Sequence, residues 1–432
     1  MRKTPVQVTA AEAVSIVKPH DNIYFSCFAC TPEIFIEELC DYAKKANLYD
    51  VSIYQTLLLT KCRYSSEEYK GIFNTKAFFV GDQIRKDVKA GLAEYLPVAF
   101  NETPAFFRNK EVELAVAFIA VSPPDEHGYV SLGLSVDMTL AAVQSAKKVV
   151  AVINKHVPRT FGDALIPFHM IDMYVENDRE VSEVVYPESS EIDHIIGKHC
   201  AELINDGDCL QMGIGSIPNA ILSCLENHNH LGIHSEMFSD GVIPLVEKGI
   251  IDGSCKQIDQ GKLVASFLMG SHNLHRFVHD NPLVLMKEAT YTNDPFIIAQ
   301  NNNVVAINSA IEIDLTGQVC ADSIGEMIYS GVGGQLDFVY GANRAKNGRA
   351  VIAMSSLTNK GASKIVPTLA KGAGVVTPRS MIHHFVTEYG RVDLYGKSLP
   401  ERAKLLISVA HPSVRDSLEE AAKLRFGSSF KL

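Results

Sequence analysis

Cys209-Leu210-Gln211-Met212-Gly213-Ile214-Gly215-Ser216-Ile217-Pro218 decides how this chain is read. Cys209 to Met212 reads as a short buried strand. Gly213 to Ile217 is a turn of small residues, and Pro218 opens a helix through Leu225. An Asp206-Gly207-Asp208 turn precedes the strand, and Ile195 to Leu203 before it has helical spacing. The same order stands in the first half. Thr9 to Val17 is helical and starts on the capping pattern Thr9-x-x-Glu12. Pro19-His20-Asp21 turns, Ile23-Tyr24-Phe25 is a strand, Ser26 to Thr31 is a small-residue turn, and Pro32 opens a helix through Glu38 or beyond. The spacing from Asp to Pro differs by one residue between the halves. Later, Gly128-Tyr129-Val130-Ser131-Leu132 is echoed by Gly317-Gln318-Val319-Cys320-Ala321. The expectation is an α/β protein of two similar domains, copies of one unit facing each other across a cleft. Alternating strand and helix signals favour mainly parallel sheets.

Working outward, Val51 to Thr56, Val112 to Val121 and Val149 to Ile153 read as strands, and Ser135 to Lys148 as a helix. The acidic stretch from Glu176 to Glu191 holds Pro187 and several serines, and marks the boundary. The domains are therefore expected at residues 1–187 and 188–432. Pro400 to Ala422 reads as a polar helical pair broken at His411-Pro412.

A chain of 432 residues is long for one core, which agrees with two domains of roughly 200 residues each. A 47% hydrophobic and 21% charged composition is that of a soluble globular protein. The formal charge of −10, from 40 basic and 50 acidic residues, argues against a nucleic-acid partner. Val14 to Val17 is too short for a signal-peptide core, and no apolar run approaches the ~20 residues of a membrane span. Nine scattered cysteines, an odd number, fit a reducing cytosol better than a disulfide framework. Cys27 and Cys30 have C-x-x-C spacing between a strand and a helix, where a redox motif also sits. A second such pair for a four-Cys zinc site is missing, so no metal is expected. Two small buried residues in a tight turn is the preferred reading.

Three stretches carry candidate chemistry. In Ser235-Glu236-Met237-Phe238-Ser239-Asp240-Gly241, one carboxylate stands among short polar and apolar residues. Leu231 to His234 before it reads as a strand. Ser239 and Asp240 cap a helix from Val242 to Glu247, with Gly249 as its stop. Glu236 then sits where a strand ends and a helix begins, the edge where α/β sheets bind ligands. The Gln211 to Pro218 stretch begins like a dinucleotide fingerprint but has Pro218 where the last glycine belongs, which disfavours a Rossmann dehydrogenase. Its glycines still allow close backbone approach, suited to a phosphate or an oxyanion, and a plain glycine turn is as good a reading. Ser330-Gly331-Val332-Gly333-Gly334-Gln335-Leu336-Asp337-Phe338 lets an elongated ligand lie against backbone, or is a tight loop. Lys364, in Ser363 to Pro367, suits a phosphate, although a lone Lys is more often solvated.

These segments, with Val121 to Asp125, Val386-Thr387-Glu388-Tyr389-Gly390 and Gly396-Lys397-Ser398-Leu399, resemble the acetyl-CoA hydrolase/transferase family, and within it the 4-hydroxybutyrate CoA-transferases. The matching motifs span nearly the whole chain in family order. The resemblance implies a duplicated CoA-transferase unit and a ping-pong transferase that moves CoA between a short-chain acyl-CoA and acetate. The family's catalytic glutamate matches Glu236. Its carboxylate would attack the thioester, forming an acyl-glutamyl anhydride and then a glutamyl-CoA thioester. By resemblance, Gln211, Met212, Gly213, Ile214, Gly215, Gly333 and Gly334 contact CoA or the oxyanion. Lys364 is offered as a phosphate partner.

CoA is a substrate here, and no tightly bound cofactor is expected. Neither a membrane nor a nucleic acid is a partner, and a cytoplasmic homodimer or higher homo-oligomer is expected. Relatives often carry a His and an acidic residue where this chain has Cys27 and Thr31, in a turn expected to face Glu236. A less polar wall there favours acetate, propionate or butyrate over a hydroxylated chain. Asp125, with Glu126 and His127, is a further candidate for the acyl end, or a solvated loop. The alternatives are an acyl-CoA hydrolase on the same fold, a non-catalytic CoA-binding protein, and last a redox protein with a low-pKa thiol at Cys27 or Cys30.

Overall fold

A computed structural model describes residues 4–430. It forms two compact units. Unit 1 is Met1–Val185, Val264–Thr292 and Ile328–Gly333; unit 2 is Tyr186–Leu263, Asn293–Met327 and Gly334–Leu432. Two segments from the second half of the sequence thus belong to the first unit.

Unit 1 is built on an eight-stranded sheet. Its strands are β1 (Val6–Gln7), β2 (Asn22–Phe25), β3 (Val51–Gln55), β4 (Phe73–Ala77), β5 (Ala93–Tyr95), β6 (Val116–Val121), β7 (Lys148–Ile153) and β8 (Met173–Glu176). They lie in the order β1-β8-β7-β6-β2-β3-β4-β5, and every pairing is parallel. The central strand β6 is buried along its whole length, which is why it reads as an unbroken apolar run.

In unit 2 the strands are β9 (Cys209–Met212), β10 (Gly232–His234), β11 (Val304–Asn308), β12 (Arg349–Ala353), β13 (His384–Thr387) and β14 (Gly390–Asp393). Their order is β14-β13-β12-β11-β9-β10, parallel except for the β13–β14 hairpin.

Five strands of each unit repeat one topology in the same register, β2, β3, β6, β7 and β8 in the first and β9 to β13 in the second. Ile23 pairs with Ile53 and with Val116; Leu210 pairs with Ile233 and with Val305. Val116 then faces Lys148 as Val305 faces Arg349, and Val150 faces Met173 as Val351 faces His384. Helices follow suit. In each unit a helix leads into the first core strand, α1 (Ala10–Val14) and α4 (Glu191–Ala201), entered through a capping box, Thr9 with Glu12 and Ser190 with Asp193. After the first core strand come α2 (Glu33–Lys45) and α5 (Ser216–Ser223). Between these pairs, and after them, lie α3 (Thr139–Ser145) in the first unit and α6 (Ile243–Glu247), α7 (Gln335–Arg344), α8 (Leu399–Ser408) and α9 (Pro412–Phe426) in the second.

Some boundaries differ from the sequence reading. α4 starts at Glu191, inside the acidic stretch, because Ser190 and Asp193 cap it. α5 starts at Ser216 behind Gly215, so Pro218 lies in its first turn, a place that tolerates a missing N–H. The first-half strand begins at Val116, and α3 covers only the middle of the expected helix. There the fully buried Asp137 takes a hydrogen bond from the Met138 N–H at 2.6 Å and another from the Ser135 hydroxyl, holding Ser135 to Met138 in a non-helical turn. A two-residue strand, Met237–Phe238, intervenes between Glu236 and α6.

The glycine echo is also structural. In unit 1, Asp125 Oδ1 accepts from the N–H groups of His127 and Tyr129, both at 2.9 Å. In unit 2, Asp314 Oδ1 accepts from those of Thr316 (2.8 Å) and Gln318 (3.1 Å). Each turn closes on a glycine in the left-handed region, Gly128 at φ 78° and Gly317 at φ 92°. Asp314 is buried. Replacing it with Ala leaves two backbone donors without their acceptor, so Asp314→Ala is expected to lower unfolding stability by about 3 kcal/mol in a urea titration.

Candidate active site

The C-terminal ends of β9, β10 and β11 gather the polar groups of unit 2. β9 leads to β10 on one side while its other neighbour β11 leads away to β12, the kind of switch point at whose strand ends open α/β sheets bind ligands. There Gln211 and Asn308 exchange side-chain amide bonds; Asn308 Nδ2 donates to Gln211 Oε1 at 3.0 Å. The Ser235 hydroxyl donates to the Met212 carbonyl (3.2 Å) and accepts from the Met212 N–H (3.4 Å). This pins the residue before Glu236 to the end of β9.

Glu236 stands two residues past the end of β10 and is half-buried. Its Oε2 accepts a hydrogen bond from Asn293 Nδ2 at 2.7 Å. The same oxygen lies against Gly334, the N-cap of the ten-residue helix α7. A methyl group at Gly334 would collide with both Glu236 Oε2 and Asn293 Nδ2. Gly334 has φ −101°, an ordinary value for any residue, so space and not backbone conformation demands glycine there. The helix end is itself anchored: Gln335 Nε2 donates to the Ser309 carbonyl (2.6 Å), and Gln335 Oε1 accepts from the Thr377 hydroxyl (2.9 Å). The positive end of a helix is thereby held beside the carboxylate.

The Gly213 to Gly215 loop stands open. A Cβ added at Gly213 or Gly215 would meet nothing within 4 Å, and Ile214 between them is 38% exposed. Gly215 holds φ 114°, which does require glycine. In unit 1 the corresponding Ser26 N–H is bonded to the Phe118 carbonyl; among the described residues no such backbone bond ties Gly213. The loop leads into Ser216, which lines a cavity of ≈ 860 Å³ together with Ser190, Asp193, Ile217, Lys364 and Glu388. Burial holds the Lys364 ammonium below lysine's ordinary pKa, opposed by the charges of Glu388 and Asp193. Glu388 is fixed in turn by the Ser356 N–H (2.9 Å) and hydroxyl.

Of the residues singled out from sequence, Glu236, Gln211 to Gly215, Gly334 and Lys364 fall in unit 2. Cys27, Thr31, Asp125 and Gly333 fall in unit 1. Gly333 carries φ 53°, and its carbonyl accepts from the Phe100 N–H at 3.3 Å. Thr31 turns its hydroxyl inward to the Phe28 carbonyl at 2.7 Å. Besides its turn bonds, Asp125 takes Arg159 Nη2 on its other oxygen at 2.9 Å, and the Tyr129 N–H and Arg159 together hold its pKa low. Burial pushes the Cys27 and Cys30 thiols up to about 12, the opposite of what a redox pair needs. Sequence reasoning missed Asn293, Asn308 and Ser235. Asn293 stands in Tyr-Thr-Asn-Asp-Pro, which marks a turn before a helix and names no partner.

Two family models cover this chain. The acetyl-CoA hydrolase/transferase N-terminal domain matches residues 4–186, and the acetyl-CoA hydrolase/transferase C-terminal domain matches residues 270–422. The chain belongs to the acetyl-CoA hydrolase/transferase family.

Within the family, it is 44% identical over 420 residues to the 4-hydroxybutyrate coenzyme A transferase of Clostridium kluyveri, covering 97% of each chain. It is also 44% identical over 414 residues to the succinyl-CoA:acetate/propanoyl-CoA:succinate CoA transferase of Fasciola hepatica, covering 95% of this chain and 86% of that one. Among solved structures of the family, the 4-hydroxybutyrate CoA-transferase from Porphyromonas gingivalis has the same fold, with a TM-score of 0.84 at 36% identity over 98% of each chain. The geometry around Glu236 yields a direct test. Gly334→Ala is expected to lower kcat about 100-fold by displacing the carboxylate, with a melting temperature close to that of the unaltered protein. Wild-type kcat in that variant would show that the close approach is not needed.

Proposed function

We propose that this protein is a CoA-transferase that moves CoA between a short-chain acyl-CoA and acetate, with Glu236 as its nucleophile. The observation that carries this reading is the carboxylate of Glu236 held between the Asn293 amide and the glycine N-cap of α7. A carboxylate in that place suits acyl exchange, because each intermediate it forms is itself an activated acyl group.

Glu236 attacks the thioester carbonyl carbon. The C–S bond breaks, CoA leaves as thiolate, and an acyl-glutamyl anhydride remains. The thiolate attacks the glutamyl carbonyl, releasing the first acid as carboxylate and leaving a glutamyl-CoA thioester. A second carboxylate runs the two steps in reverse. Each attack builds a tetrahedral oxyanion, for which the N–H groups of Gly213 to Gly215 are the proposed donors; one such donor is typically worth ~3 kcal/mol of barrier. Gln211, Met212, Gly333 and Gly334 are proposed CoA contacts, and Lys364 a partner for a CoA phosphate. Binding of the unreactive nucleotide end then helps hold the thioester against Glu236.

The assignment of Cys27, Thr31 and Asp125 to the acyl pocket rests on the family pattern. Cys27 carries a neutral thiol and Thr31 an internally bonded hydroxyl, which supports acetate, propionate or butyrate over a hydroxylated chain. All nine cysteines are free thiols, which supports the proposed cytoplasmic setting. No helix among the described residues is long and apolar enough to cross a membrane. A homodimer is the proposed assembly.

Initial rates with butyryl-CoA and acetate should give parallel double-reciprocal lines. Glu236→Gln should lower kcat by roughly 1000-fold or more. Steady release of free CoA thiol from acyl-CoA with no acid added would favour the hydrolase, and CoA binding without turnover would leave a binding protein.

A further inference from the structure

Lys256 is a buried cation that the chemistry above does not use. Its side chain is 5% exposed, and its ammonium donates to the Ile233 carbonyl at 3.0 Å and the Lys262 carbonyl at 2.9 Å. Burial lowers its pKa. Burying an ammonium against carbonyls is costly, and an apolar side chain would fill the same space without that cost. The arrangement therefore asks for a reason beyond packing.

Position supplies one. Ile233 lies in β10, and only His234 and Ser235 separate it from Glu236. The aliphatic stem of Lys256 crosses β10 at Gly232, where an added Cβ would stand 2.7 Å from Lys256 Cγ and 2.9 Å from Cδ. Gly232 does not occupy the left-handed region, so this glycine makes room for the lysine rather than a turn. Downstream, His234 is buried with its ring edge to Phe338, and Ser235 is pinned to Met212. Lys256 is thus the upstream member of a series of ties that fix where β10 ends. In unit 1, Ser52 stands in the place of Gly232 and Thr56 in the place of Glu236, by the shared register. The repeat that lacks the carboxylate also lacks the glycine that admits the lysine.

We propose that Lys256 is a positioning residue for Glu236, acting through the Ile233 carbonyl to set the end of β10. This rests on Glu236 being the nucleophile. The task requires the N–H donors at the end of the side chain and not the packing of its stem alone.

The test compares Lys256→Met, which keeps the stem and loses the donors, with Lys256→Arg, which keeps a long stem ending in N–H donors. Butyryl-CoA:acetate exchange, KM for butyryl-CoA and melting temperature are read for each, with Glu236→Gln alongside. Lys256→Met should lose about 100-fold in kcat with KM changed less than about threefold, and Lys256→Arg should recover to within about tenfold of the unaltered protein. Should Lys256→Met fail to fold, Gly232→Ala crowds the same stem and should lose about tenfold in kcat. Full kcat in folded Lys256→Met, or equal losses in the Met and Arg variants, overturns the positioning role. Retained turnover in Glu236→Gln instead overturns the nucleophile reading on which it rests.

Discussion

The site depends on one close approach. Glu236 Oε2 occupies space that any side chain larger than hydrogen at position 334 would take. That approach lets the carboxylate receive Asn293 and lie at the start of α7 together. The parts of unit 2 around it serve to hold the two sides in register. Ser235 ties one side to the end of β9, and Gln335 ties the other to Ser309 after β11. A nucleophile needs both to be exposed to its substrate and to be fixed. Glu236 stays half-exposed, and the fixing comes from Asn293, the start of α7 and the tie of Ser235 to β9.

Duplication explains much of the remaining architecture. Five strands of each unit share order and pairing register, yet their equivalent positions differ in chemistry. Tyr24 stands where Gln211 stands, Ile119 where Asn308 stands, and Thr56 where Glu236 stands. Ile119 and Thr56 are buried, and Tyr24 bonds internally to Thr139 at 2.8 Å. These strand-end positions carry Gln211, Glu236 and Asn308 in one repeat, whereas in the other Tyr24, Thr56 and Ile119 are buried in the core. The Asp125 and Asp314 turns are preserved in both, as expected of a feature that serves the fold.

Much of this was legible in the sequence. The strand–turn–helix order around Asp21 to Pro32 and Asp208 to Pro218 identified the repeat, since breakers and caps act locally and leave local signatures. Glu236 was found from its place after a short apolar run and from family motifs. The residues around it were not legible in the same way. Asn293 and Gly334 meet Glu236 from 57 and 98 positions away, and only the folded backbone defines those pairings. Asp125 was read as a candidate ligand because a polar loop after a strand invites that reading. Its bonds to the His127 and Tyr129 N–H groups depend on a left-handed Gly128, and the matching turn at Asp314 reveals its work in the loop. The C-x-x-C spacing of Cys27 and Cys30 likewise says nothing of burial, which decides their chemistry.

The central claim is that Glu236 becomes covalently joined to CoA during turnover. Peptide mass spectrometry after mixing with acetyl-CoA or butyryl-CoA tests it most directly. The account predicts a CoA-sized adduct on the peptide holding Glu236, removed by added acetate and missing in Glu236→Gln. Turnover with no adduct on that peptide, or an adduct that persists in Glu236→Gln, would contradict it.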